Sequence, residues 1–343
     1  MKRFMFVMLV VGLTLLGVIL YHTDLGEVWA RLQQMGWRGM TAFLALHVFG
    51  FGGLALSWLL ALPSKPVTPR WICRFWNVLM VGAAIEAVTP LAGLGGEPVK
   101  AVLMKRHYGI SFKDASASLL ATRTTDLAAQ VIFLGIGFGL MFHAAVLPLP
   151  YRITAGVGLA LFCIAIVLFV LLQSQRAFSR TRSWLEEGWL SGREMSTRAV
   201  RALDSIREVE DRLLTFYSSK HLRMVLSGAA AFVEWMSAAA ATWVAIRFLG
   251  HPISFADAIV IEAFVTLVRS TFFFVPADIG TQDGAQVLIC SAITGSPELG
   301  VALAAVRRAR DLLWVAWGLA VGSAYSLGGV GELRRLATAV PED

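Results

Sequence analysis

The sequence predicts an all-α integral membrane protein with about six full transmembrane helices and two re-entrant helical hairpins set in inverted repeats. Three observations predict it. The 343 residues are 57% hydrophobic and 15% charged, with a mean hydropathy of +0.68, whereas soluble domains carry about 25% charged residues. The apolar residues gather into runs long enough to cross a hydrocarbon layer of about 30 Å. Two stretches, starting at Pro90 and Pro276 and so 186 residues apart, share one pattern of punctuation. Together these exclude an ordinary soluble enzyme, a disordered chain and a disulfide scaffold. Cys73, Cys163 and Cys290 have no CxxC spacing and suggest neither a metal nor a disulfide.

The elements follow in order. Phe4 to Leu20 is apolar behind Met1-Lys2-Arg3, like the start of a signal peptide. VILYHTDLG follows with no small-x-small cleavage site, so it reads as an uncleaved first span. Met40 to Leu62 is the second, and residues 1–62 make two N-terminal spans. Phe75 to Pro90 is short and ends in TPLAGLGGEP; the apolar piece Ala101 to Met104 and a basic loop come next. Ser116 to Phe142 spans but contains Arg123 and Asp126, closing a first repeat over residues 73–143. Ile153 to Leu172 is a clean span. Residues 174–223 are polar, with Val200, Leu203, Ile206, Val209, Leu213 and Phe216 at the spacing of a helix lying on the cytoplasmic membrane surface. Met224 to Leu249 spans. Ala256 to Val275 is apolar around Glu262 and Arg269, PADIGTQDG breaks it, and Ala285 to Ile293 is short again. Val301 to Leu327 carries Arg307, Arg308, Arg310 and Asp311 and closes a second repeat over 257–328. The whole chain, 1–343, forms a single membrane domain.

The repeat rests on spacing. Pro90 precedes Glu97 by seven residues and Pro276 precedes Asp283 by seven; Glu97 precedes Gly109 by twelve and Asp283 precedes Gly295 by twelve. Arg123/Asp126 and Arg308/Asp311 follow, each pair three apart. Charge placement orients the copies. If each broken piece enters and leaves on one side, most of the 30 Lys and Arg fall inside: Lys2 and Arg3, Lys65, Arg70 and Arg74, Lys100, Lys105, Arg106 and Lys113, the 174–223 segment, and Arg334 and Arg335. A full crossing by Phe75–Pro90 would put KRHYGISFK outside, against the positive-inside tendency. Three crossings then separate a cytoplasmic-side hairpin from an outer-side one. The repeats are inverted, both termini are cytoplasmic, and the +7 net charge reports topology rather than nucleic-acid binding. Inverted repeats with broken helices are a transporter signature, with the site near the midplane. Merely short, kinked helices are the plainer reading.

Candidate chemistry lies at these breaks. Gly95 and Gly96 permit a tight turn before Glu97, and Pro98 suits a first helical position. Gly280, Thr281 and Asp283 do the same in the second repeat. A helix N-terminus there would offer unsatisfied N–H groups to phosphate or carboxylate; alternatively the glycines only let backbones pack closely. Arg123 with Asp126, and Arg308 with Asp311, cost on the order of 2.5–3.5 kcal/mol per charge at a span centre. They must pair, with each other or with Glu97 and Asp283, or bind a lipid phosphate. Glu262, Thr266, Arg269 and Ser270 share one face, either as a Glu–Arg link within the helix or as cavity lining. Glu86 and Glu234 are lone acids that could carry a proton or make a helix contact. Arg307 and Arg310 point to other faces than Arg308, toward outer-leaflet head groups. The six histidines show no metal spacing, there is no P-loop and no GxSxG elbow, and no cofactor is expected.

These residues resemble the flippase-like, lysylphosphatidylglycerol-synthase membrane-region family, and within it a hopanoid-biosynthesis-associated branch. The resemblance runs from about residue 20 to 328, strongest in PLAGLGGEPVKAVLMKRHYGI and in VRSTFFFVPADIGTQDG with RRARDLL. It makes Gly95, Gly96, Glu97, Pro276, Gly280, Arg308 and Asp311 the signature positions. Two departures stand out: Asp283 occupies a position where Glu is expected, and AVTP stands where the branch carries Asn-Leu-Leu-Pro. The sequence shows no aminoacyl-transferase domain, so lysyl transfer is not implied. What the resemblance implies is movement or handling of an anionic or polyisoprenoid lipid in the bacterial inner membrane. A membrane enzyme, or an accessory partner of lipid-biosynthesis enzymes, is the alternative.

Overall fold

The computed structural model describes residues 23–88, 96–144, 221–272 and 280–338, with scattered positions elsewhere. The first span, most of Ile153–Leu172 and nearly all of the 174–223 stretch lie outside the described residues, as do Gly95, Pro90 and Pro276. Eight helices order what is described: α1 (Leu25–Leu60), α2 (Pro69–Val88), α3 (Gly96–Tyr108), α4 (Phe112–Ala144), α5 (His221–Phe248), α6 (Phe255–Thr271), α7 (Thr281–Thr294) and α8 (Pro297–Thr338). Three of them, α1, α4 and α5, are long and apolar enough to cross a membrane by length and composition.

Local chemistry sets the helix starts, often earlier than hydropathy suggests. Residues before Met40 read as a loop, yet α1 begins at Leu25 because the Asp24 carboxylate accepts from the Gly26 and Glu27 N–H groups at 2.8 and 3.3 Å. Gly36, at φ +54°, kinks α1 before it turns apolar. The same device opens α4, where Asp114 N–H donates to Ser111 Oγ, and α6, where Ser254 and Asp257 cap each other. Gly109 and Gly295 close α3 and α7 at φ +65° and +74°, a conformation that favours glycine.

The contacts have a two-fold pattern. Exchanging α1 with α5, α2 with α6, α3 with α7 and α4 with α8 maps every substantial helix–helix contact onto another: α2 packs on α8 as α6 packs on α4, and α1 and α5 form the central, most extensive pair. The long helices α4 and α8 begin 185 residues apart, at Phe112 and Pro297. The halves point in opposite directions. Arg223 Nη1 donates to the Leu62 carbonyl at 3.3 Å and Arg31 Nη1 to the Leu249 carbonyl at 3.4 Å, so α1 and α5 are antiparallel. The α3–α4 turn lies where α1 ends, since Trp58 Nε1 donates to Ser118 Oγ at 3.0 Å. The α7–α8 turn lies where α1 begins, with Arg31 Nη2 3.4 Å from Ser296 Oγ.

Small residues let these helices approach. A Cβ on Gly53 would lie 2.8 Å from the Ala230 carbonyl oxygen and one on Gly50 3.1 Å from Ser237 Cβ, so α1 and α5 meet backbone to backbone. Hydroxyls bond across the seam, Ser57 to Ser227 at 2.9 Å and Ser237 to the Leu46 carbonyl at 2.6 Å, and Thr125 of α4 joins Ser227 at 3.0 Å. On α8, a Cβ at Gly318 would overlap the Met80 carbonyl oxygen of α2, whereas one at Gly322 would meet nothing nearer than 3.4 Å. Gly318→Ala is therefore expected to destabilise by about 1–3 kcal/mol, with Gly322→Ala close to neutral. Thermal unfolding of the two purified variants checks this, and equal midpoints would refute the close contact.

Candidate functional site

Two short helices start inside the fold. At 1.5 Å per residue, α2 is about 30 Å long but α3 only about 20 Å, and α6 about 25 Å against about 21 Å for α7. Gly96 and Gly280, at their N-termini, are buried. Arg123 and Arg308 are each the twelfth residue of their long helix, about 16 Å from its start and so near the same depth.

In the second half, Arg308 grips Asp283 with two bonds, Nε to Oδ1 at 3.1 Å and Nη2 to Oδ2 at 2.7 Å. Asp283 Oδ2 also accepts the Gly280 N–H at 3.0 Å. Gly280 needs its flexibility, since it turns at φ +80° before Thr281 opens α7. Asp311 does not meet Arg308; Arg310 takes it, at 2.7 Å.

The first half is built from equivalent positions but paired differently. Glu97 Oε1 accepts from Lys100 Nζ at 2.8 Å. Arg123 Nη1 leans to Asp126 Oδ2 at 3.4 Å, while Asp126 Oδ1 accepts from Trp235 Nε1 at 3.1 Å. Lys100, read from the sequence as a cytoplasmic charge, is buried against α2, where a Cβ on Gly82 would overlap its side chain. A Cβ on Gly96 would sit 2.5 Å from the Gly82 carbonyl oxygen and 3.4 Å from Glu86 Oε2. Close packing accounts for Gly96, and it brings the Glu86 carboxylate beside the first turn of α3.

The link expected within α6 does not form. Glu262 pairs instead with Arg307 of α8: both guanidinium Nη atoms bond its carboxylate, and Thr242 of α5 joins them, donating to Glu262 Oε2 at 2.7 Å and accepting from Arg307 Nη2 at 2.8 Å. All three residues are buried. Arg307 therefore faces the core, not head groups. The reason is distance: Glu262 and Arg269 lie seven residues apart, about 10.5 Å along α6, whereas packing sets Arg307 of α8 in hydrogen-bonding contact with Glu262. Arg269 stays exposed, with no ion pair among the described residues, and lies within electrostatic reach of Asp126, Glu86 and Glu234. Its neighbour Ser270 accepts from Gln130 Nε2 at 2.9 Å, tying α6 to α4.

The described residues thus form two inverted halves, in each of which an acid of the short helix and an arginine of the long helix recur at equivalent positions. A family profile described as "Lysylphosphatidylglycerol synthase TM region" matches residues 5–318. The chain belongs to that family. Two relatives are both described as UPF0104 membrane proteins. One, from Methanothermobacter thermautotrophicus, is 25% identical over 248 residues, covering 68% of this chain and 70% of the relative. The other, from Pyrococcus horikoshii, is 20% identical over 324 residues, covering 90% and 92%. No solved structure matches the chain.

What this arrangement can do follows from its donors. Arg123 and Arg269 present planar guanidinium forks from exposed positions, and such forks can bind phosphate or carboxylate oxygens in pairs. Among the described residues no group of His, Cys, Asp and Glu is placed to hold a metal ion. Lys100, Trp235 and Arg307 are the residues sequence reasoning did not place in the site. For Lys100 the signal was present, as an acid three residues earlier on one helix.

Proposed function

We propose that this membrane protein moves an anionic or isoprenoid-type lipid between the leaflets of the cell's inner membrane, acting as a transporter rather than an enzyme. The lipid's charged head passes along Arg123, Arg269 and Arg308 and the N-termini of α3 and α7, while its tails stay in the bilayer. One observation carries the reading: Arg123 and Arg308 occupy the same position in oppositely directed halves, each beside a short helix that starts inside the fold. Charged groups at such depth are retained where they serve a pathway. In this reading α2–α3 and α6–α7 are the two re-entrant hairpins. The end carrying Lys65, Arg70, Arg74, Lys105, Arg106 and Lys113 is the cytoplasmic face, where both termini lie.

The test is reconstitution with head-group-labelled phosphatidylglycerol, labelled polyprenyl phosphate, or labelled phosphatidylcholine. An impermeant reductant then bleaches whatever reaches the outer leaflet. The expected result is faster bleaching of the inner-leaflet anionic lipids than in protein-free vesicles, with phosphatidylcholine little changed. Folded protein that accelerates no anionic lipid would overturn the proposal.

A further inference from the structure

The two halves hold equivalent acids in different grips. In the second, Asp283 is bound to Arg308, and the acid and arginine side chains are 7% and 32% exposed. In the first, Glu97 is bonded to Lys100 and not to Arg123, and Glu97 and Arg123 are 40% and 64% exposed. The position three residues after the acid explains the choice. It is Lys100 in the first half and Gln286 in the second, 186 residues on. Gln286 is 0% exposed, and neither its Nε2 nor its Oε1 has a hydrogen-bond partner among the described residues. A buried amide left unpaired is costly, and more so in an apolar interior. Released from Arg308, Asp283 would accept from the Gln286 amide in the same i, i+3 geometry by which Glu97 accepts from Lys100.

We propose that Glu97 and Asp283 are partner-exchanging latches, each holding its short helix against its long one when bound to arginine and freeing it when bound to the residue three positions on. The two work in alternation, and the structure captures the second half latched and the first half open. The proposal rests on the transport reading above, since alternation is how inverted repeats expose one site to two sides. The moving parts are α3 and α7. Glu262, Thr242 and Arg307 pin α5, α6 and α8 together, so α7 swings on a fixed frame. Opening would bare the arginine, in line with the greater exposure of Arg123 than of Arg308, and so alternation would present a phosphate site first on one side and then on the other.

Cysteine labelling tests it. In a background with Cys73, Cys163 and Cys290 replaced, Val99→Cys and Ala285→Cys report on equivalent positions of α3 and α7. Both are labelled with an impermeant maleimide in right-side-out and inverted vesicles. Gln286→Lys gives Asp283 a second cation and favours release of the second half. Labelling at position 285 is expected to rise, and at position 99 to fall, by about fivefold each, the population change that about 1 kcal/mol produces. Lys100→Gln should act in the same direction from the other end, by removing the competitor of Arg123. If either folded variant changes only its own half, or neither reporter moves, the alternation is wrong. The labelling needs no lipid, so it can succeed where the leaflet assay fails, and the reverse.

Discussion

Glu262→Gln is expected to lower stability by about 3–5 kcal/mol, the cost of leaving one member of a buried ion pair uncompensated. The change keeps the side chain's shape but removes the charge that Arg307 needs. Arg307 and Glu262 are both buried, so no solvent replaces the lost bond, and Arg307 Nε has no hydrogen-bond partner among the described residues. Thr242→Val removes the two hydrogen bonds that the hydroxyl makes to the charged pair and is expected to cost about 1.5–3 kcal/mol. A Glu262→Leu/Arg307→Met double variant removes both charges and should recover much of the loss, because apolar replacement of a buried pair is often neutral or better. Thermal unfolding of the purified variants ranks the three. A double variant no more stable than Glu262→Gln would show that the pair does not hold α6 to α8 as described.

That pair also shows where sequence reading stops. The all-helical class and the recurrence of an acid and an arginine were legible because they depend on local runs and fixed spacings: Glu97 with Gly109, Asp283 with Gly295, Arg123 with Asp126. The partner of each charge was less legible. Arg307, Arg308 and Arg310 sit in one short run on three faces of α8, and hydropathy cannot say which faces α6, which faces α7 and which faces Asp311. Packing of α8 against α7, and of α6 against α7 and α5, makes that choice. Helix starts were misjudged for a related reason. Asp24, Ser111 and Ser254 start helices by capping their first N–H groups, and these begin in polar sequence that hydropathy assigns to loops. The glycines split between two roles that sequence left open. Gly96 serves contact with Gly82, whereas Gly280 serves a turn.

Arg308→Gln and Arg123→Gln are expected to cut lipid movement by roughly tenfold to a hundredfold, the loss of a charge-assisted contact worth about 1.5–3 kcal/mol. Their effects on folding should differ, and that difference separates binding from mere structure. Arg308 is tied bidentately to buried Asp283, so Arg308→Gln strands a carboxylate and lowers the unfolding midpoint; pairing it with Asp283→Asn should restore stability without restoring transport. Arg123 is mostly solvent-accessible and makes one 3.4 Å contact, to Asp126, which Trp235 also supports. Arg123→Gln should therefore leave the midpoint nearly unchanged while transport falls. Arg123→Lys keeps the charge but not the planar fork, so it should recover binding of a phosphate only in part. A stable Arg123→Gln protein that moves anionic lipid at the unaltered rate would remove Arg123 from the pathway. If the stabilised Arg308→Gln/Asp283→Asn protein also kept that rate, the mirrored arginines would be ties between helices and the transport reading would lose its main support.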